Sequence, residues 1–259
     1  MGEQSVLFDR KEKIAWITLN RPQSLNSMND ALVDELHKAL DEAACDNGIK
    51  TVVLTGNGKA FCAGGDLPYL ETLKSVSEKK YFIEKVGQLA KKITVMQKPV
   101  IAMVNGVAAG AGVNLMLACD LIYAAESARF AQSFVKVGLV PDCGGMYFLP
   151  KTVGLHKAKE LMFTADLIDA KEAEKLGMIN HVLPVEDLVR ETEVMAKRLA
   201  ESAPLAIALT KATLNKTDME LDDVLFAEAT AQTLCLGTDD CAEGIAAFKE
   251  KRVPNFIGK

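Results

Sequence analysis

The stretch VIAMVNGVAAGAGVNLMLACD, residues 100–120, decides how the rest of the chain is read. Its first five residues have the composition of a short buried strand, Asn-Gly breaks that strand, and the apolar run at 115–118 reads as helix. Between strand and helix lies Ala109-Gly110-Ala111-Gly112, a loop with almost no side-chain bulk. The same order stands earlier. TVVLT at 51–55 is a buried-looking strand closed by GNG, and KAFCAGGD at 59–66 supplies a second small-residue loop, Ala63-Gly64-Gly65. A strand running into a Gly/Ala loop therefore occurs twice.

Further out, IAWITL at 14–19 has strand composition and ends at NRP. A helix follows with Ser27 or Asn29 as its cap and Leu32, Leu36, Leu40 and Ala43 on one face. Residues 81–97 read as helix, LIYAA at 121–125 as strand, and GLVPDCGG at 138–145 opens another helical stretch. Beyond about residue 155 the chain turns almost wholly helical, over 157–163, 170–176, 186–202, 205–215, 221–236 and 239–251, with HVLP from His181 as the one clear strand. The expected class is α/β, with residues 1–200 as the core and 201–259 as a helical region that packs on something outside its own subunit.

With 259 residues, 49% apolar and 25% charged, the chain suits one main packed domain and excludes wholesale disorder. No apolar run approaches the ~18–20 residues of a membrane span, and MGEQSVLFDRKEK is too charged for a signal peptide, so neither membrane nor export is expected. Six cysteines without CxxC spacing suggest neither a zinc site nor a disulfide framework, and reduced thiols fit a cytoplasmic location. A formal charge of −5 with dispersed Lys and Arg argues against a nucleic-acid partner.

Small residues in the two loops let a ligand approach the main chain. Two backbone N–H groups in a dry pocket hold the negative charge that collects on a thioester carbonyl oxygen when its α-carbon reacts. The second loop also opens a helix, whose positive dipole end would face that oxygen. Either loop alone also reads as a plain tight turn. A dinucleotide fingerprint fails, because Leu115 occupies the place of its third glycine.

Over essentially its full length the chain resembles the enoyl-CoA hydratase/isomerase family, the crotonase superfamily. The resemblance is carried by NRPQSLNSMN, KAFCAGGDL, VNGVAAGAGVNLMLACD, FAQSFVKVGLVPDCGG and EGIAAFKEKR. It implies a ClpP-like spiral of ββα turns forming two nearly perpendicular sheets, and terminal helices that build a homotrimer, often stacked into a hexamer. The implied ligand is an acyl-CoA thioester, with no cofactor beyond its coenzyme A and no metal. The N–H groups of Ala63 and Ala111 would form an oxyanion hole beside Gly64, Gly65 and Gly110. Coenzyme A would lie against Arg21, Ser24, Leu25, Ala60 and Asp66, with its phosphates and adenine near Phe248 and Lys251 of a neighbouring subunit. The acyl group would depend on residues 67–86, beginning at Leu67.

Hydratases of this family use two glutamates, and the matching positions here are Asn114 and Phe134, neither of which accepts a proton as a carboxylate does. One acid remains, Asp142 in GLVPDCGG. At the matching position of similar members an aspartate shuttles protons in dienoyl-CoA isomerases, acts as nucleophile in aromatic acyl-CoA dehalogenases, and occurs in ring-epoxide phenylacetyl-CoA isomerases. GAGVNL and FVKVGLVPDCGG most resemble the last group. Asp142 also reads as a helix N-cap; facing an apolar pocket walled by Phe134, it would have a raised pKa. Asn114 is either a solvated helix residue or one that orients substrate or water. Asp66 reads as a cap or loop-fixing carboxylate rather than a proton carrier, and Cys62 and Cys143 as small fillers. Dehalogenation asks for a tryptophan at Phe134 and a histidine around Gly87, and the chain has neither. The expected function is an acyl-CoA isomerase with Asp142 as its acid/base. A hydratase or lyase with an atypical acid, and a catalytically weak acyl-CoA binder, are the alternatives.

Overall fold

The computed structural model describes residues 4–216 and 219–259. The chain opens with a hairpin of β1 (Val6–Lys11) and β2 (Ile14–Leu19), followed by α1 (Asp30–Cys45). Three similar turns come next. The first is β3 (Thr51–Gly56), β4 (Ala60–Cys62), α2 (Leu67–Thr72) and α3 (Val76–Val95); the second is β5 (Val100–Val104), β6 (Val107–Ala109) and α4 (Ala111–Leu117). The third is β7 (Leu121–Ala125), β8 (Arg129–Ala131), a 3-10 turn at Ser133–Val137 and α5 (Gly145–Val153). After α6 (Leu155–Thr164), β9 (Ile168–Asp169), α7 (Ala170–Lys175) and β10 (His181–Leu183), the remainder is α8 (Val185–Ala200), α9 (Pro204–Leu214), α10 (Leu221–Leu236) and α11 (Asp239–Glu250).

The first strands of the three turns are parallel neighbours in a six-stranded sheet ordered β1-β2-β3-β5-β7-β10. The second strands are parallel neighbours in a four-stranded sheet ordered β4-β6-β8-β9. Each ββα turn thus adds one strand to each sheet, which is the spiral that the sequence resemblance implies. Within the large sheet, side chains alternate between two cores. Ala15, Ile17, Val52, Leu54, Val100 and Ala102 face the main core, whereas Ile14, Trp16, Val53, Ile101 and Met103 face Leu188, Ala196 and Ala200 of α8. Burial on both faces explains why these strands read as unbroken apolar runs rather than alternating ones.

Of the two cap candidates for α1, Asn29 is the cap, accepting from the Leu32 N–H at 3.0 Å. Helix α3 starts before residue 81, because Ser75 and Glu78 form a capping box ahead of Val76. Strands β4 and β6 fall in segments that read as loops, and β8 in a segment given no reading; three residues each carry too little pattern, and neighbouring strands rather than propensity fix them.

Helix α9 is tied to the sheet by a buried ion pair: Lys211 Nζ lies 2.7 Å from Asp120 Oδ2 and 3.0 Å from the Lys98 carbonyl. Beyond it, α10 buries no residue within the chain and exposes Leu221, Phe226 and Leu234. No helix among the described residues is long and apolar enough to cross a membrane. Replacing Lys211 by Met would leave the partly buried Asp120 carboxylate without its cation, held only by the Val100 N–H at 2.7 Å. The expected loss is about 3 kcal/mol, read as a lower urea midpoint than that of the parent protein.

Candidate active site

The two Gly/Ala loops meet because α4 lies directly on β4. A Cβ at Gly112 would stand 2.1 Å from the Cys62 carbonyl oxygen, so no side chain fits between them. Gly64 has φ +94°, and a Cβ there would meet the Ala109 carbonyl oxygen at 2.8 Å and the Ala111 nitrogen at 3.4 Å.

The hydrogen bonds of these loops correct one expectation. The Ala63 N–H already donates to the Leu25 carbonyl at 2.9 Å, so it is not available as an oxyanion donor. The Met28 N–H donates to the Gly64 carbonyl at 2.7 Å and the Asp66 N–H to the Met28 carbonyl at 3.0 Å, a parallel bridge that encloses Gly65. In such a bridge the enclosed residue turns its own N–H away from the partner strand. The Gly65 N–H accordingly has no acceptor among the described residues. Ala111 is the first residue of α4, and its N–H is one of the orphan donors at that helix start. Gly65 and Ala111, rather than Ala63 and Ala111, are the pair with unspent amides.

Both residues line a cavity of about 280 Å³ together with Ala63, Gly64, Gly110 and Leu67. Its apolar wall comes from Leu70 of α2, Phe82, Ile83 and Val86 of α3, and Phe134 and Leu139 across from them. Asp142 is the one carboxylate among the lining residues, and Ser133 and Lys136 are the other polar ones. Asp142 Oδ1 is sealed from solvent and has no hydrogen-bond partner, and burial pushes the carboxyl up to a pKa of about 6. The cap reading of Asp142 does not hold. Gly144 precedes the first residue of α5, and no side chain caps that helix.

Asn114 is not solvated, and it does not line the cavity either. It is completely buried, its Nδ2 donating to the main-chain carbonyl of Asp142 at 2.8 Å and its Oδ1 accepting from Gln132 Nε2 at 2.7 Å. Its place is therefore behind the acid rather than against a ligand. Cys62 and Cys143 are buried fillers; burial pushes the Cys62 thiol up to about 12 and Cys143 well above its ordinary value.

Asp66 fixes its loop, as read from the sequence. It pairs with Arg21 Nη1 at 2.8 Å and caps α2 by accepting from Tyr69 N–H at 3.2 Å, while Arg21 also donates to the Ser27 carbonyl at 2.6 Å. Ser24 and Leu25 lie beside this pair, with Leu25 exposed and in the left-handed region at φ 51°. Ala60 does not fit as a contact for coenzyme A. It is fully buried in β4, and its carbonyl accepts from Asn26 Nδ2 at 2.8 Å. Phe248 of α11 and Lys251, which ends that helix, lie outside the cavity lining. Phe82 and Val86, four apart on α3, fall within residues 67–86, the stretch on which the acyl group was expected to depend. The sequence reading missed Ser133 and Lys136, whose 3-10 turn leaves no periodic pattern.

The profile of the enoyl-CoA hydratase/isomerase family matches residues 9–259. The chain is 37% identical over 265 residues to a crotonyl-CoA hydratase of Syntrophomonas wolfei, with 100% of each chain covered. It is also 37% identical over 262 residues to a 1,2-epoxyphenylacetyl-CoA isomerase of Escherichia coli, with 98% of each covered. The crystal structure of an enoyl-CoA hydratase from Bacillus anthracis superposes with a TM-score of 0.95 at 34% identity, covering 99% of this chain and 100% of that one.

Asp142 has a consequence for stability. Its pKa in the folded state is raised from 3.8 to about 6, so the folded state holds this proton more tightly than the unfolded chain does. The stability it contributes is full below about pH 4 and is lost as pH rises through 6, a change of about 2–3 kcal/mol. Asp142→Asn removes that titration. The variant should resist urea better than the parent at pH 8, with a smaller advantage at pH 5.

Proposed function

Because this chain belongs to the enoyl-CoA hydratase/isomerase family, we propose that it is an acyl-CoA isomerase in which Gly65 and Ala111 N–H groups hold a thioester enolate while Asp142 moves the proton. The observation that carries this reading is the sealed, unpartnered Oδ1 of Asp142 in an otherwise apolar cavity. A carboxylate with a pKa near 6 is a base at neutral pH and is still strong enough to hold the proton it takes. Taking a proton from one carbon of the enolisable acyl group and returning it to another needs a single acid/base. Adding water calls for a second group to activate it, and the cavity lining holds no second carboxylate.

Coenzyme A is bound as part of the substrate, with Arg21, Ser24, Leu25, Asp66 and Leu67 near the loops, and Phe248 and Lys251 reaching the ligand of a neighbouring subunit. The bare apolar surface of α10 supports assembly into a homotrimer or a pair of trimers. A second reading, an enoyl-CoA hydratase with an atypical acid, is favoured by the hydratase names of several similar proteins.

Four measurements test the proposal. Asp142→Asn should lower kcat for double-bond isomerisation of an unsaturated acyl-CoA by roughly 10²–10⁴, and the parent kcat/KM should rise with pH through about 6. Undiminished isomerisation by this variant, or robust hydration of crotonyl-CoA by the parent protein, would overturn it. Ala111→Pro removes one N–H at a helix position that tolerates proline. It should cost on the order of 10²–10³ in kcat with far-UV circular dichroism unchanged.

A further inference from the structure

The acid of the cavity stands on an uncommon turn. Cys143 and Gly144, which follow Asp142, both occupy the left-handed region, at φ 48° and φ 77°, and the first of them is not a glycine. The Asp142 carbonyl that opens the turn accepts twice, from Gly145 N–H at 2.9 Å and from Asn114 Nδ2 at 2.8 Å. One bond belongs to the turn itself. The other comes from helix α4, from a side chain that no solvent reaches.

We propose that Asn114, oriented by Gln132, is a positioning residue that holds the Asp142 turn in the conformation that projects the Asp142 carboxyl into the cavity. This rests on the proposed function only where it assigns the proton transfer to Asp142. Several observations support the inference independently of that reaction. A buried amide within an apolar helix is costly unless each of its atoms is paired, and both of the atoms of Asn114 are. Its orientation is forced: the opposite flip would set oxygen against the Asp142 carbonyl oxygen and NH₂ against the Gln132 NH₂. Gln132 is itself 2% exposed and spends its Nε2 on this contact, leaving Oε1 without a partner. The turn is also shaped to the amide, because a Cβ at Gly145 would lie 2.2 Å from Asn114 Nδ2.

The arrangement accounts for an amide rather than an acid at position 114. A carboxylate there would place negative oxygen against a carbonyl oxygen that already accepts a backbone N–H. The groups near Asp142 that bear or acquire charge are Lys136, which lines the same cavity, and the Cys143 thiol next to it, with the Cys62 thiol beyond. None of them donates a hydrogen bond to the Asp142 carboxyl.

The test uses Asn114→Ala, which removes both bonds, and Gln132→Leu, which removes only the group that orients the amide. The Asp142 carboxyl is titrated by ¹³C NMR in each folded variant, with Asp142→Asn used to assign the resonance. Steady-state kinetics are measured beside it. In Asn114→Ala the Asp142 midpoint should fall from about 6 toward the ordinary value of about 4, kcat should drop by on the order of 10- to 100-fold, and KM should stay within about twofold. Gln132→Leu should move the same quantities the same way by less, and it decides the matter if Asn114→Ala does not fold. An unmoved Asp142 midpoint in a folded variant overturns the proposal, whatever the rate does. An active Asp142→Asn enzyme would instead overturn the isomerase reading, and the titration would still report on Asn114.

Discussion

The seating of helix α4 on strand β4 is the contact on which the rest of the site depends. At Gly112 the helix backbone touches the carbonyl of Cys62, and this approach brings the start of the helix alongside the turn of Gly64 and Gly65. A single methyl group at that position would push the two loops apart. The same helix also carries Asn114 to the underside of the Asp142 turn. One packed helix therefore sets the two unspent amides against each other and fixes where the lone carboxyl stands relative to them.

That carboxyl is held against its own solvation. A sealed oxygen with no donor is a cost in the folded state, and it is the same feature that keeps the pKa near neutrality. The surrounding construction opposes relaxation: two left-handed residues, a buried amide bonded to the carbonyl that opens the turn, and a glutamine behind the amide. By contrast, the carboxylate of Asp66 is paired with Arg21 and caps the start of α2, so the two carboxylates have opposite surroundings. The environment rather than the residue type separates a loop-fixing acid from one whose pKa is raised by burial.

Much of this was legible in the sequence. The buried strands announced themselves as apolar runs, α1 by its spacing of four, and the loops by their lack of side chains. The three-residue strands were not legible, because they exist only through pairing with distant neighbours. The identity of the donors was half legible. Composition points to the loop but cannot say that the Leu25 carbonyl claims the amide of Ala63 and leaves that of Gly65. Asn114 was visible as a polar residue in an apolar helix, yet its partners, Gln132 and a carbonyl beyond residue 140, meet it only in the folded chain. Ala60 misled because a contact carried over from a resemblance takes no account of how deeply this chain buries it.

The repeated ββα turn has an evolutionary corollary. The amides of Gly65 and Ala111 come from the first and second turns, while Phe134 and Asp142 come from the third. Under the proposed mechanism, binding of a developing charge and handling of the proton are thus encoded in separate, non-overlapping segments of the gene. Substitutions confined to the third segment can redirect the outcome of a reaction while the earlier two continue to stabilise the same intermediate, so a lineage with this architecture can change its chemistry without passing through a form that has lost it.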